Sequence, residues 1–151
     1  MMLYHGKRLR IGRCSEPGRI YLITSATRHR EPLFKDWQTG RLVSRALREA
    51  HEAGAVASLA WVVMPDHFHW LFELTNGDLS GTVRRVKSRA ALAVNEYLGR
   101  SGPVWQKGFH DRAMRKNEDL RSAARYIIYN PVRAGLVASP REYCLWDAMW
   151  L

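Results

Sequence analysis

At 151 residues the chain is long enough to bury one core without cross-links, and it is read as a single domain over residues 1–151. A hydrophobic share of 46% argues against general disorder, and 24 lysines and arginines against 14 aspartates and glutamates, a net charge of +10, point to a polyanionic partner, nucleic acid first. Cys14 and Cys144 lack the spacing of a zinc knuckle or a disulfide framework, and no apolar run matches a secretory leader or a membrane span of about 20 residues, so a cytoplasmic protein without membrane association is expected.

Residues 1–18, with Lys7, Arg8, Arg10 and Arg13 and a closing Pro17-Gly18 turn, read as a basic N-terminal arm expected to be flexible. The run from Arg19 to Thr27 is rich in β-branched and aromatic residues and predicts a strand. Helical spacing of Trp37, Leu42, Val43, Ala46, Leu47 and Ala50 predicts a helix over 36–54, stopped by Gly54. Ala55 to Met64 and His67 to Leu74 then read as two strands of a hairpin, broken by Pro65-Asp66.

Leu79, Val83, Val86, Ala90, Val94 and Tyr97 recur at steps of three and four, which predicts an amphipathic helix. Its other face displays Arg84, Arg85, Lys87 and Arg89, suited either to phosphates or simply to solvent. Val104 to Arg115 reads as a fourth strand, and Asn117-Glu118-Asp119 as the start of a third helix that runs to about Tyr129, where Pro131 disfavours its continuation. The tail, residues 137–151, carries Trp146, Met149 and Trp150 and is expected to close the core. The order strand, helix, strand, strand, helix, strand, helix predicts an α+β fold, a ferredoxin-like antiparallel sheet with helices.

Alternation along the strand at 67–74 sends Phe68, Trp70, Phe72 and Leu74 to one face and His67, His69, Leu71 and Glu73 to the other. Two histidines at i and i+2 stand about 6 to 7 Å apart along a strand, close enough to share one metal ion while leaving coordination positions open to substrate. Alternation alone also accounts for two solvent-facing histidines.

On a helical wheel Leu120, Ala123, Ala124 and Ile127 form an inward face, Tyr126 falls on its border, Asn130 lies one turn above Tyr126, and Tyr129 points away. A phenol is a poor nucleophile at neutral pH unless a cation or base helps it shed its proton, and a histidine-bound ion would do so. Asn130 offers an oxygen suited to Mg2+ or Mn2+, although a helix cap is the plainer use of such a residue.

Taken together, MPDHFHWLFEL at Met64–Leu74, VWQKGFHDR at Val104–Arg112 and RYIIYNPVRAGLV at Arg125–Val137 resemble the REP-associated tyrosine transposases, a group within the single-tyrosine HUH transposase superfamily. YLITSATRHREPLF at Tyr21–Phe34 is similar to their first strand and the loop after it, so the likeness covers most of the chain. It implies an HUH endonuclease-like fold in which His67 and His69 form the metal pair, Tyr126 rather than Tyr129 is the nucleophile, and Asn130 is the third ligand. Ile128 stands where many relatives carry a histidine, a position the core chemistry does not require.

The resemblance further implies metal-dependent cleavage and rejoining of single-stranded DNA beside palindromic hairpins, through a 5′-phosphotyrosine and a free 3′ hydroxyl, by a monomer. Arg84, Arg85, Lys87, Arg89, Lys107 and Arg112 are expected to hold the DNA as a patch. Two other readings stay open on the residues alone: a non-catalytic binder of single-stranded nucleic acid, and a hydrolytic nuclease in which water attacks.

Overall fold

The computed structural model describes residues 16, 18–115 and 118–149. The N-terminal arm, apart from Glu16 and Gly18, lies outside the described residues, as do Cys14, Asn117 and Trp150.

Five strands form one sheet in the order β4-β1-β3-β2-β5, with every neighbouring pair antiparallel. They are β1 (Ile20–Ala26), β2 (Val56–Met64), β3 (His67–Leu74), β4 (His110–Ala113) and β5 (Trp146–Ala148). The first four follow the ferredoxin-like path expected from the sequence, and β5 extends the sheet beyond β2. Four helices accompany them among the described residues: α1 (Trp37–Glu52), α2 (Leu79–Leu98), α3 (Leu120–Ile128) and the single turn α4 (Asn130–Arg133).

Local chemistry sets the helix ends. Asp36, Asp78 and Asp119 cap α1, α2 and α3 by accepting from the amides of Gln38, Gly81 and both Arg121 and Ser122. Gly99 ends α2 in the left-handed conformation at φ 66°, which a side chain would disfavour. Tyr129 closes α3 where predicted, but helical backbone resumes at once in α4, because Pro131 sits in that helix's first turn, where no amide donor is needed.

The sheet is covered on both faces. Phe68, Trp70 and Phe72 of β3 pack with Ile23 beneath α1 and α2, contributed by Val43, Leu47, Val83, Val86 and others. On the opposite face Leu71, Val62 and Met64 pack under Ala124 and Ile127 of α3. β2 accommodates a bulge between Ser58 and Ala60.

The predicted fourth strand is shorter than its sequence suggested. Only His110–Ala113 pairs with β1; the stretch before it makes a single bridge, Trp105 to Thr27, and otherwise loops inward to bury Val104, Trp105 and Phe109. Gly108 at φ 72° turns this loop, and Lys87 Nζ donates to the carbonyls of Gln106 and Gly108, taking acceptors that a ladder would have used. Of the tail residues expected to close the core, Trp146 is half-buried in β5, Met149 is 60% exposed and Trp150 lies outside the described residues; Leu145 is the buried one, and the Tyr143 hydroxyl donates to the Val63 carbonyl at 2.6 Å.

Candidate active site

Residues directly opposed in an antiparallel ladder share a face, so register alone assembles one row across the sheet: His110, Thr24, His69, Val62 and Trp146. One step along, His67 lies between Ala26 and Met64 on that same face. The two imidazoles meet edge to face with centroids 4.9 Å apart.

Each ring is held by its Nδ1. Asp66 Oδ1 lies 2.7 Å from His67 Nδ1, and because a carboxylate can only accept, a proton sits on Nδ1 and Nε2 is the ring nitrogen left for another partner. Thr24 Oγ1 lies 2.8 Å from His69 Nδ1, a hydrogen bond that holds the ring by this nitrogen. This arrangement, a ligand nitrogen oriented by a hydrogen bond at the other ring position, is how proteins prepare histidines for metals.

Burial pushes His69 down to about 4, with help from the charges of His67, Arg133 and Arg30, so the ring is neutral at physiological pH. Burial pushes the Asp66 carboxyl up, but hydrogen bonds from His67 and Arg30 outweigh it and hold the group below the usual carboxylate range. The His69 shift predicts a pH-dependent stability. An unfolded histidine takes up its proton below about pH 6.5, whereas folded His69 resists until about 4. The unfolded state therefore binds more protons between these limits, so this contribution is complete above pH 6.5 and is lost as pH falls toward 4. It amounts to at most about 3 kcal/mol. His69→Gln should flatten that segment of the urea-unfolding free energy plotted against pH; an unaltered slope would refute the assignment.

Tyr126 lies on α3, the helix that covers the histidine face, and is 62% exposed. Arg133 clasps it: the guanidinium stacks over the ring with Cζ 3.7 Å from its centroid, and Nη2 donates to the Tyr126 carbonyl. The Arg133 charge also acts on His69. Asn130, half-buried, begins α4, which packs against β2. Tyr129, also partly exposed, caps α3.

Thr24, Asp66, Arg30 and Arg133 escaped sequence reasoning. Only Asp66 carried a local signal, an acid immediately before the first histidine; the others join through register and packing.

The six basic residues expected to act as one patch are divided. Arg84 and Lys107 line a cleft of about 730 Å3 between α2 and the loop before β4, where Lys87 is turned inward onto backbone carbonyls. Arg85 and Arg89 border another cleft against α1, with Arg89 3.8 Å from Glu49. Arg112 makes a two-pronged contact with Glu118 at 3.1 Å. Among the described residues no three His, Cys, Asp or Glu side chains gather as a metal cluster.

The sequence model of the family described as "Transposase IS200 like" matches residues 18–130, a span that contains both histidines, Tyr126 and Asn130. The chain belongs to this family. Among curated IS200-like relatives, the chain is similar to the REP-associated tyrosine transposase of Escherichia coli strain K12, with 35% identity over 86 residues. That match covers 56% of this chain and 49% of the relative. The putative REP-associated tyrosine transposase of Haemophilus influenzae Rd is 26% identical over 109 residues, covering 65% and 62%. The chain thus spans about half to three-fifths of the length of these relatives.

Among solved structures, a REP-associated tyrosine transposase bound to a REP hairpin matches with a TM-score of 0.73 at 25% identity, over 97% of this chain and 82% of that one. A putative transposase from Deinococcus radiodurans R1, at 19% identity and a TM-score of 0.55 over 86% and 97%, shares the fold. No helix among the described residues is long and apolar enough to cross a membrane.

Proposed function

We propose that this chain is a metal-dependent single-stranded DNA endonuclease and strand transferase that works beside REP-like palindromic hairpins through a 5′-phosphotyrosine on Tyr126. The observation that carries the reading is the paired imidazoles, each tied at Nδ1, beneath the helix whose tyrosine Arg133 clasps. The resemblance to a transposase bound to a REP hairpin supports the choice of DNA.

The donor set that would hold a divalent ion such as Mg2+ or Mn2+ is an imidazole nitrogen each from His67 and His69 and an amide oxygen from Asn130. When bound, the ion supplies positive charge to a phosphate oxygen, which stabilises the charge that builds during displacement. Tyr126 Oη attacks phosphorus in line; its bond to phosphorus forms as the bond to the 3′ oxygen breaks, and that oxygen departs with the electron pair and takes up a proton. Arg133 holds the tyrosine ring, Asp66 fixes the His67 tautomer, and Thr24 holds the His69 ring at Nδ1. The phosphotyrosine conserves the bond energy, so a second 3′ hydroxyl reverses the step without ATP.

The test is to incubate the protein with labelled single-stranded hairpin oligonucleotides and Mg2+ or Mn2+, then run denaturing gels. A labelled band that travels with the protein is expected. Cut strands without that band would assign the attack to water, and binding without cutting would leave a nucleic-acid binder. The metal side has its own check: Asp66→Asn removes the carboxylate that fixes the His67 tautomer, and Mn2+ affinity by calorimetry should fall about 10- to 100-fold. Unchanged affinity would contradict the role given to Asp66.

A further inference from the structure

Just after β1 the backbone is strained: His29 and Arg30 take left-handed conformations at φ 58° and 54°, the only residues other than glycine to do so among the described residues. Strain of this kind persists only where the surrounding structure holds it. β1 ends with Ala26 opposite His67. A chain that ran on as a strand would carry residue 30 about 13 Å past Ala26, clear of the sheet. Instead Arg28–Arg30 forms one tight turn, and Arg30 doubles back over the connection between β2 and β3, where its Nε donates to Asp66 Oδ2 at 3.0 Å. The other oxygen of that carboxylate, Oδ1, accepts from His67 Nδ1 at 2.7 Å. Buried Thr27 ties the two segments together, giving its amide to the Asp66 carbonyl at 2.9 Å and its hydroxyl to the Glu31 carbonyl at 2.8 Å. Past the turn, Arg100 grips both carboxylate oxygens of Glu31 at 3.0 and 3.1 Å.

We infer that Arg30 is a positioning residue that acts on His67 through Asp66, and that the strained turn serves to deliver it. The inference rests on the reading that His67 is a metal ligand, and carries the support of that ligand one side chain further out. Backbone bonds fix where the Asp66 side chain begins, but its carboxylate is 25% exposed, and held at one oxygen alone it would swing toward water. With Oδ2 on Arg30 and Oδ1 on His67 the plane of the carboxylate is set, and with it the ring that donates to it. Once released, the ring is free to carry its proton on Nε2, the nitrogen left for the ion. The turn has no need of an arginine for its own sake. Glycine takes the left-handed backbone of position 30 without strain, and the bond from the Arg30 amide to the Thr27 carbonyl at 3.0 Å is open to any residue but proline. The value of the arginine therefore lies in its side chain.

The experiment compares Arg30→Gly and Arg30→Gln with wild type in the full chain. Long-range 1H–15N spectra, recorded without metal at about pH 8.5, two units above the ordinary histidine value, report which nitrogen of His67 carries the proton. Wild type should show it on Nδ1. In Arg30→Gly a population with the proton on Nε2 should appear, while the thermal midpoint holds because glycine suits the backbone there. Arg30→Gln, whose amide nitrogen stands as many bonds from the backbone as the arginine Nε, should keep the wild-type pattern. Mn2+ affinity by calorimetry is the second readout. Arg30→Gly should lower it about three- to tenfold, less than the loss of a direct partner to a ligand. In a protein already carrying Asp66→Ala it should lower it no further. A wild-type His67 spectrum in Arg30→Gly, or an equal loss of Mn2+ affinity with and without the Asp66 carboxylate, would overturn the inference. If wild type takes up no Mn2+, the metal reading fails, while the metal-free spectra still decide whether Arg30 sets the ring.

Discussion

Tyr126→Phe removes the covalent protein–DNA species entirely and leaves the protein folded and able to bind DNA. The substitution deletes one oxygen, the atom on which the proposed phosphodiester exchange depends. It leaves the aromatic ring on which Arg133 stacks. Since the side chain is 62% exposed, unfolding free energy should stay within about 0.5 kcal/mol of wild type, as for ordinary surface changes. Strand cutting falls by the full measurable range on denaturing gels, while affinity for hairpin DNA in EDTA is retained. Persistent cutting at a comparable rate would remove the tyrosine from the chemistry and leave water as the nucleophile.

Trp70→Ala acts from behind the site. The indole is fully buried on β3 between its neighbours, 4.1 Å from the Phe72 ring centroid, and its Nε1 donates to Ser58 Oγ at 2.9 Å. Deleting a buried tryptophan leaves a cavity that costs about 3 to 5 kcal/mol, and the Ser58 hydroxyl loses its partner as well. That is a large fraction of the roughly 5 to 15 kcal/mol that holds a domain of this kind together. Urea unfolding reads the loss directly. Trp70→Phe, which refills most of the volume, should recover more than half of it; a wild-type midpoint for the alanine variant would show that the sheet does not depend on this packing.

The sequence was most informative where side-chain period and burial agree. The strand predicted at His67–Leu74 has those limits in the fold, because every second residue from Phe68 to Leu74 is apolar and buried. The paired histidines could be recognised for the same reason: alternation puts i and i+2 together whatever the rest of the chain does. Where contacts are long-range the pattern was silent. Thr24 reaches His69 only through the β1–β3 register, 45 residues apart, and Arg133 meets Tyr126 only because α4 folds back after Tyr129. The stretch at 104–109 misled because its apolar residues serve a buried loop, tied down by Lys87, and that lysine's charge had suggested a role toward DNA.

The short fifth strand has a consequence for how the molecule keeps to itself. β2, VASLAWVVM, contains no charged residue and, without Trp146–Ala148 beside it, would expose a row of free amides and carbonyls along a strongly β-forming segment. Such an edge is a template on which another chain adds strand upon strand. β5 is three residues long with Asp147 at its centre, and the opposite border, β4, is four residues long and carries His110, Asp111 and Arg112. Both borders are too brief and too charged to seed such growth, so the uncharged β2 is shielded by the two shortest strands of the sheet.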